Sequence, residues 1–309
     1  MKQLSITITI SLLVFICKST SFAQNSNDNL THGFQRIEHD HYILEKPTKI
    51  INAVLILFGG YPQLAADIER EFEVFSAANE NNVAIVYSNI NGKLWLEENV
   101  KELMASHIQG IFEENNLPKD NIIIGGFSSG GTLAMLIGDY LIAHKNFEIA
   151  PKGVFLVDSP VDLAVLYEVS EKNVQRNFSE PSVEESSWLL ELLGDKIGNP
   201  HTDISGYEKL SLFTSQSGYY GNLKNLKNTK IRLYTEPDTL WWKENRRVNY
   251  DEMNAFYIKK LAERLTEEGY KHVEYIPTVT KGYRSNGQRH PHSWSIVDPK
   301  DLMKWLLQN

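Results

Sequence analysis

Short, continuous apolar runs alternate along this chain with longer stretches in which apolar side chains recur every three or four positions. Ala53-Val54-Leu55-Ile56-Leu57-Phe58 is apolar throughout and closes on Gly59-Gly60. A strand with one wet face would alternate, so this run predicts a strand covered on both faces. Gln63 to Asn79 then places Leu64, Ile68, Phe72 and Phe75 on one side of a helix. Val83 to Tyr87 reads as the next strand and Leu94 to Phe112 as the next helix, with Leu96, Val100, Met104 and Ile108 on one stripe. Asn121-Ile122-Ile123-Ile124, a helix over Thr132 to Ala143 and the run Val154 to Val157 continue the series. Such alternation predicts an α/β fold: a mostly parallel sheet with right-handed crossovers and helices on both faces, binding ligands beyond the carboxyl ends of its strands.

The series breaks between Pro160 and Lys230, a stretch too long for a loop. It holds a helical piece at Val183 to Leu193 and the aromatics Tyr167, Phe178, Trp188, Tyr207, Phe213, Tyr219 and Tyr220. Residues at about 160–229 are therefore expected to form an inserted helical cap. Order resumes with a strand at Ile231 to Tyr234, a helix over Tyr250 to Glu268, a strand at Val273 to Ile276 and a last helix from Pro299 to Leu307. Residues 33–309 are read as one domain carrying the cap, and the polar, aperiodic residues 24–32 as a flexible leader.

The N-terminus changes the picture of where the protein works. Lys2 precedes a mostly apolar run from Leu4 to Cys17, and Ser21-Phe22-Ala23 puts small residues where signal peptidase needs them. Residues 1–23 are thus expected to be a signal peptide, cleaved after Ala23 to release a periplasmic or secreted chain without stable membrane insertion. A retained anchor is one alternative. Acylation at Cys17 is another, although Val14-Phe15-Ile16 lacks the small residues that usually precede an acylated cysteine. Cys17 is the single cysteine of the sequence, so the mature chain would have no disulfide, no zinc-thiolate site and no cysteine nucleophile. Charge narrows the partners. The 31 basic and 39 acidic side chains give a net −8, and removing residues 1–23, with Lys2 and Lys18, makes it more negative, against a nucleic-acid or membrane-surface binder.

Between the strand at Ile122 to Ile124 and the following helix stands Gly126-Phe127-Ser128-Ser129-Gly130. A nucleophile elbow needs glycines two before and two after its serine, because side chains there would collide with neighbouring backbone in so sharp a turn. Ser128 meets that spacing, and Ser129, with Phe127 two residues before it, does not. A glycine-rich strand-to-helix turn with an incidental serine, or an anion-binding loop, would share the pattern.

This segment, in this order of elements, resembles the α/β-hydrolase superfamily over roughly residues 50–309. The resemblance implies a nucleophile, acid and histidine in that order. Ser128 is then the nucleophile. The acid is expected in Thr235-Glu236-Pro237-Asp238-Thr239, with Asp238 first, Glu236 second, and Asp158 after the preceding strand third. His292 is the expected base, with His290 the rival in Arg289-His290-Pro291-His292-Ser293-Trp294. The oxyanion donors are expected to be the backbone N–H of Ser129 and that of Gly60 or Tyr61 in Phe58-Gly59-Gly60-Tyr61-Pro62. The long His-Gly-Gly-Gly motif of some lipases is absent there.

These roles imply a serine hydrolase working through an acyl-enzyme without cofactor or metal, with a small-molecule ester as substrate. His290-Pro291-His292 alone has too few ligands for zinc. Two other readings stay open: a serine peptidase or amidase of the same fold, and an inactive ligand-binding protein that retains it. Trp241, Trp242, Arg246 and Arg247 follow the expected acid. They form either a packed helix start or a wall that recognises an anionic or planar substrate.

Overall fold

The computed structural model describes residues 29–308 apart from His32 and Asn91. The expected signal peptide, and residues 24–28 and 32 of the expected leader, lie outside them. Nine strands form one sheet: β1 (Asn29–Thr31), β2 (Phe34–His39), β3 (Tyr42–Pro47), β4 (Ala53–Phe58), β5 (Val83–Ser88), β6 (Ile122–Phe127), β7 (Gly153–Val157), β8 (Lys230–Thr235) and β9 (Val273–Pro277). Their order is β1-β2-β3-β5-β4-β6-β7-β8-β9. β1, β2 and β3 run antiparallel to their neighbours, and β4 through β9 are parallel to one another. The helices are α1 (Ala65–Glu71), α2 (Phe75–Glu80), α3 (Glu98–Glu114), α4 (Ser129–Ala143), α5 (Leu163–Arg176), α6 (Glu180–Lys196), α7 (Ser205–Leu210), α8 (Thr239–Arg246), α9 (Asn254–Glu267) and α10 (Pro299–Leu307).

Every residue of β4, β5, β6 and β7 is buried. Strand geometry sends successive side chains to opposite faces. Val54, Ile56 and Phe58 therefore pack with α3, α4 and α9 through Met104, Leu133, Ile137 and Leu261. Ala53, Leu55 and Leu57 pack the other way, with α1, α2 and α10 through Ile68, Ala78 and Leu302. The expected mostly parallel sheet with helices on both faces is present.

Several boundaries differ from the sequence reading for identifiable reasons. The helix expected over Gln63 to Asn79 is broken, because Phe72 is extended (φ −118°, ψ 92°) and its ring stacks on Trp294 at 4.7 Å. Leu94, Trp95 and Leu96 are a buried loop rather than helix, and α3 begins only at Glu98. α9 begins at Asn254 after a short 3₁₀ turn at Tyr250–Glu252, which Asn249 and Glu252 cap reciprocally. The antiparallel edge was not expected at all. β2 and β3 mix apolar and charged residues without a regular alternation, and Arg36 lies among Glu38, Glu45 and Glu69 at 2.8, 2.5 and 2.7 Å.

Between β7 and β8, α5 and α6 pair as a hairpin with α7 beside them. Leu163, Leu189, Leu193 and Tyr207 bury against Leu94 and Trp95 in a separate apolar cluster. From Leu212 onward the chain returns to the main core through Phe213, Leu223 and Leu226. Two contacts tie the hairpin down: Arg176 donates to both oxygens of Glu252 at 2.8 and 2.9 Å, and Trp188 stacks on Tyr61 at 4.9 Å. Among the described residues no helix is long and apolar enough to cross a membrane.

Leu55 is fully buried in a central strand and Leu103 is 57% exposed on α3. Leu55→Ala should cost about 2–5 kcal/mol in urea unfolding through lost transfer and a cavity, and Leu103→Ala within about 0.5 kcal/mol.

Candidate active site

The carboxyl ends of β6, β7 and β8 carry Ser128, Asp158 and Glu236 in turn. Ser128 sits at φ 53°, ψ −129°, a conformation that costs a non-glycine residue about 1–3 kcal/mol and persists only where surroundings enforce it. The enforcement is visible. A Cβ on Gly126 would lie 2.2 Å from the carbonyl oxygen of Gly130, and one on Gly130 would lie 2.3 Å from that of Phe58. The turn therefore closes only with glycine at both positions, as its spacing predicted. Ser128 lines an open cavity of about 300 Å³ together with His292. Ser129 heads α4, where its N–H has no intrahelical partner. Its side chain is buried and accepts a hydrogen bond from the Tyr61 N–H at 3.0 Å.

His292 comes from the loop after β9. Its Nδ1 lies 2.7 Å from Asp158 Oδ2, and its ring packs on Phe127 at 4.4 Å between centroids. Asp158 is 4% exposed and also has positive φ, 46°. Thr235 Oγ1 donates to its Oδ1 at 2.7 Å, and Asn254 Nδ2 donates to its carbonyl oxygen at 2.9 Å. Of the three acids named from the sequence, the one in contact with His292 is not the one placed first. Asp158, placed third by sequence, contacts the histidine, whereas Asp238 caps α8 through the Trp241 N–H at 3.0 Å and binds Arg289 at 2.6 Å.

Glu236 does not contact the histidine either. It is 2% exposed and accepts from the N–H groups of Lys281 and Gly282 at 2.8 and 3.0 Å and from Thr278 Oγ1 at 3.0 Å. Arg289 closes on its other oxygen. On its way back across the sheet, the loop that delivers His292 is gripped by the two acids at the end of β8. Arg289, which sequence reasoning passed over, is the cation that joins them.

His290 faces the same cavity but has a different environment. Burial, with Arg284, His292 and Arg246 nearby, pushes its pKa down to about 3. Its ring lies 4.7 Å from Trp241 and 6.0 Å from Trp242. Asp158 contacts His292 and not this ring, so of the two histidines His292 alone has the carboxylate partner. The expected second oxyanion donors are both engaged: the Tyr61 N–H on Ser129 Oγ, and the Gly60 N–H on Gln63 Oε1 at 3.1 Å. Gly60 is close enough to Ser128 that a Cβ there would meet the serine Cβ at 2.8 Å. Trp242 and Arg246 line the cavity with Leu166, Trp188 and Leu189 of the helical hairpin. Trp241 stands behind His290, and Arg247 turns away to Phe178, 5.3 Å over its ring.

No family model and no curated protein matches the sequence. Solved structures do match. Fluorophosphonate-binding serine hydrolase F of Staphylococcus aureus superposes with a TM-score of 0.54 at 12% identity, covering 91% of this chain and 96% of that one. Carboxyl esterase 2 of the fungus Tuber melanosporum gives 0.51 at 13%, over 88% and 81% of the two chains. A hormone-sensitive lipase from a metagenome library gives 0.50 at 13%, over 91% and 88%. This chain has the α/β-hydrolase fold.

Two expectations follow. Glu236→Ala removes the buried acceptor of four donors and should lower stability by about 3 kcal/mol in urea unfolding. Because the folded-state pKa of His290 is depressed, its contribution is complete above the unfolded value, near 6.5. It is lost as pH falls toward about 3, since the unfolded chain binds a proton that the folded one refuses. His290→Gln should therefore show a shallower loss of unfolding midpoint between neutral pH and pH ~4 than the parent.

Proposed function

We propose that this protein is a serine hydrolase acting on small carboxylic esters, with Ser128 as nucleophile, His292 as base and Asp158 as the acid. The observation that carries this reading is the 2.7 Å bond between Asp158 and His292 Nδ1, in the cavity that Ser128 enters on a strained turn. A carboxylate on Nδ1 fixes the tautomer that leaves Nε2 able to accept a proton, which is what a serine hydroxyl requires of its base. The three solved structures support the class, since one is described as a serine hydrolase that binds fluorophosphonate, one as a carboxyl esterase and one as a lipase.

Ser128 Oγ attacks the ester carbonyl as His292 Nε2 takes its proton, and the oxyanion forms against the Ser129 N–H at the head of α4. The Tyr61 N–H is the second donor, exchanging Ser129 Oγ for the developing charge. His292 returns the proton to the leaving alcohol, and the acyl group stays on Ser128. Water then repeats the sequence and releases the acid. Protonation of His292 stops the cycle, so activity should fall on acidification. An open cavity of about 300 Å³ beside the hairpin suits a small molecule. Export after cleavage at Ala23 is part of the same proposal and rests on the sequence alone.

A fluorophosphonate should label Ser128, and Ser128→Ala should lose labelling and turnover while Ser129→Ala keeps both in measurable amount. Asp158→Asn should lower turnover by about 10⁴-fold, whereas Asp238→Asn should retain the acid limb of the pH–rate profile. Loss confined to Asp238→Asn would restore the role to that residue. Amides hydrolysed as fast as matched esters would make this an amidase.

A further inference from the structure

Six of the nine described arginines, Arg36, Arg70, Arg176, Arg232, Arg264 and Arg289, have a carboxylate within 4.0 Å. Arg247 lies over Phe178. The remaining two, Arg246 and Arg284, likewise have no hydrogen-bonded or ion-paired side-chain partner among the described residues; Arg284 lies 5.9 Å over the Phe127 ring, and both, unlike Arg247, line the cavity that holds Ser128 and His292. Both are half-buried. In a chain with more acidic than basic side chains, these two guanidiniums stand apart from the six arginines, buried Arg232 among them, that find carboxylate partners.

They are also near each other. Burial pulls the Arg284 pKa down; Glu71, whose oxygens take the Ser285 N–H and hydroxyl at 3.1 and 2.7 Å, opposes this, and the charge of Arg246 adds to the lowering more weakly. Half-buried like charges without a counter-ion are costly to hold. The neighbouring His290 has its pKa pushed down to about 3 and so adds no positive charge above that pH. Trp242 provides an apolar wall beside them.

We infer that Arg246 and Arg284 form a subsite for a carboxylate carried by the substrate, so that the preferred ester is an anion. This rests on the hydrolase reading above. A guanidinium matches a carboxylate with paired N–H donors, and the bound anion supplies the counter-charge that the cavity lacks. Charge favours a monoanion. Glu185, exposed on α6, is the cavity's one carboxylate lining residue, and against two arginines it leaves one positive charge. In the reaction the ester's acyl–oxygen bond breaks, the acyl group passes to Ser128 Oγ, and the proton from His292 leaves with the alcohol. The carboxylate itself is unchanged.

Two matched pairs test this. para-Acetoxybenzoate and its methyl ester carry or lack the charge on the alcohol side. para-Nitrophenyl hydrogen adipate and its methyl ester do so on the acyl side. In one of the pairs the anion should be preferred in kcat/KM, and Arg246→Gln or Arg284→Gln should reduce the anion-to-neutral ratio by about tenfold or more. Calorimetry on Ser128→Ala should show para-hydroxybenzoate or monomethyl adipate binding more tightly than its fully methylated counterpart, with the preference lost in the same arginine variants. Arg246→Lys, which keeps the charge, should retain part of it. Equal losses on charged and neutral members, or no discrimination in either pair, would overturn the subsite. So would tighter binding of para-hydroxyphenylphosphonate than of para-hydroxybenzoate, which would make the ligand a phosphate-like dianion. Absence of turnover with intact carboxylate preference in Ser128→Ala would sink the hydrolase reading and leave the subsite standing.

Discussion

Burial of the central sheet on both faces is the constraint from which the site follows. With every side chain of β4 to β7 packed into one helical layer or the other, a charged or nucleophilic group within those strands would lose its hydration with nothing to replace it. Polar chemistry is displaced to the strand ends, and because the strands are parallel those ends lie on one edge. Ser128 and Asp158 are each the first residue beyond an adjacent strand, and both have positive φ. The chain leaves β6 and β7 abruptly, and the residues at the corners are lifted clear of the layers.

The proposed base, His292, must reach this edge from the far side of the sheet. β9 is three positions from β6 in the strand order, so the loop carrying His292 crosses the ends of β8 and β7. What holds it there is the pairing of Glu236 and Asp238 with Arg289, together with the backbone bonds to Glu236. A carboxylate that accepts several charge-assisted bonds is a firm anchor. The acids are therefore divided between two tasks: those after β8 fix the loop, and the one after β7 fixes the imidazole. Phe127 beneath His292, and Trp294 stacked on Phe72, fix the loop from the apolar side.

The fold was legible because fully buried parallel strands leave a strong local signature, and Ala53–Phe58 and Pro299–Leu307 were read to the residue. The elbow was legible for the same kind of reason: its glycines are demanded by contacts within a few residues. The edge strands β2 and β3 were not, since their charged residues are accommodated by a long-range cluster around Arg36 that no local pattern announces. The choice among Asp158, Glu236 and Asp238 is likewise non-local. Each follows a buried strand, and only the path of the loop after β9 decides which one meets the histidine. Arg284 escaped notice because its significance is the lack of a partner, a property of three-dimensional neighbours.

Charge placement gives these parts a common logic. The chain is acidic overall, and its acids neutralise most of the described arginines, including Arg289 in the loop that carries His292. Glu236 and Asp238 stand close to the cavity yet are saturated by Arg289, the loop N–H groups and the helix cap, so their charge is compensated where it sits. Asp158 is similarly committed to His292 and Thr235. With three nearby carboxylates already satisfied, Arg246 and Arg284 in the cavity are left with Glu185 alone to offset them, a net positive charge among the lining residues. Low dielectric beneath the α5–α6 hairpin strengthens whatever field they produce. Burial first, and then the same field, disfavour a proton on His290 and keep a second imidazole next to His292 neutral above about pH 3. A ligand that brings its own negative charge relieves the repulsion between the two arginines. A neutral one leaves it in place, and the selectivity of the cavity comes from that difference in electrostatic energy.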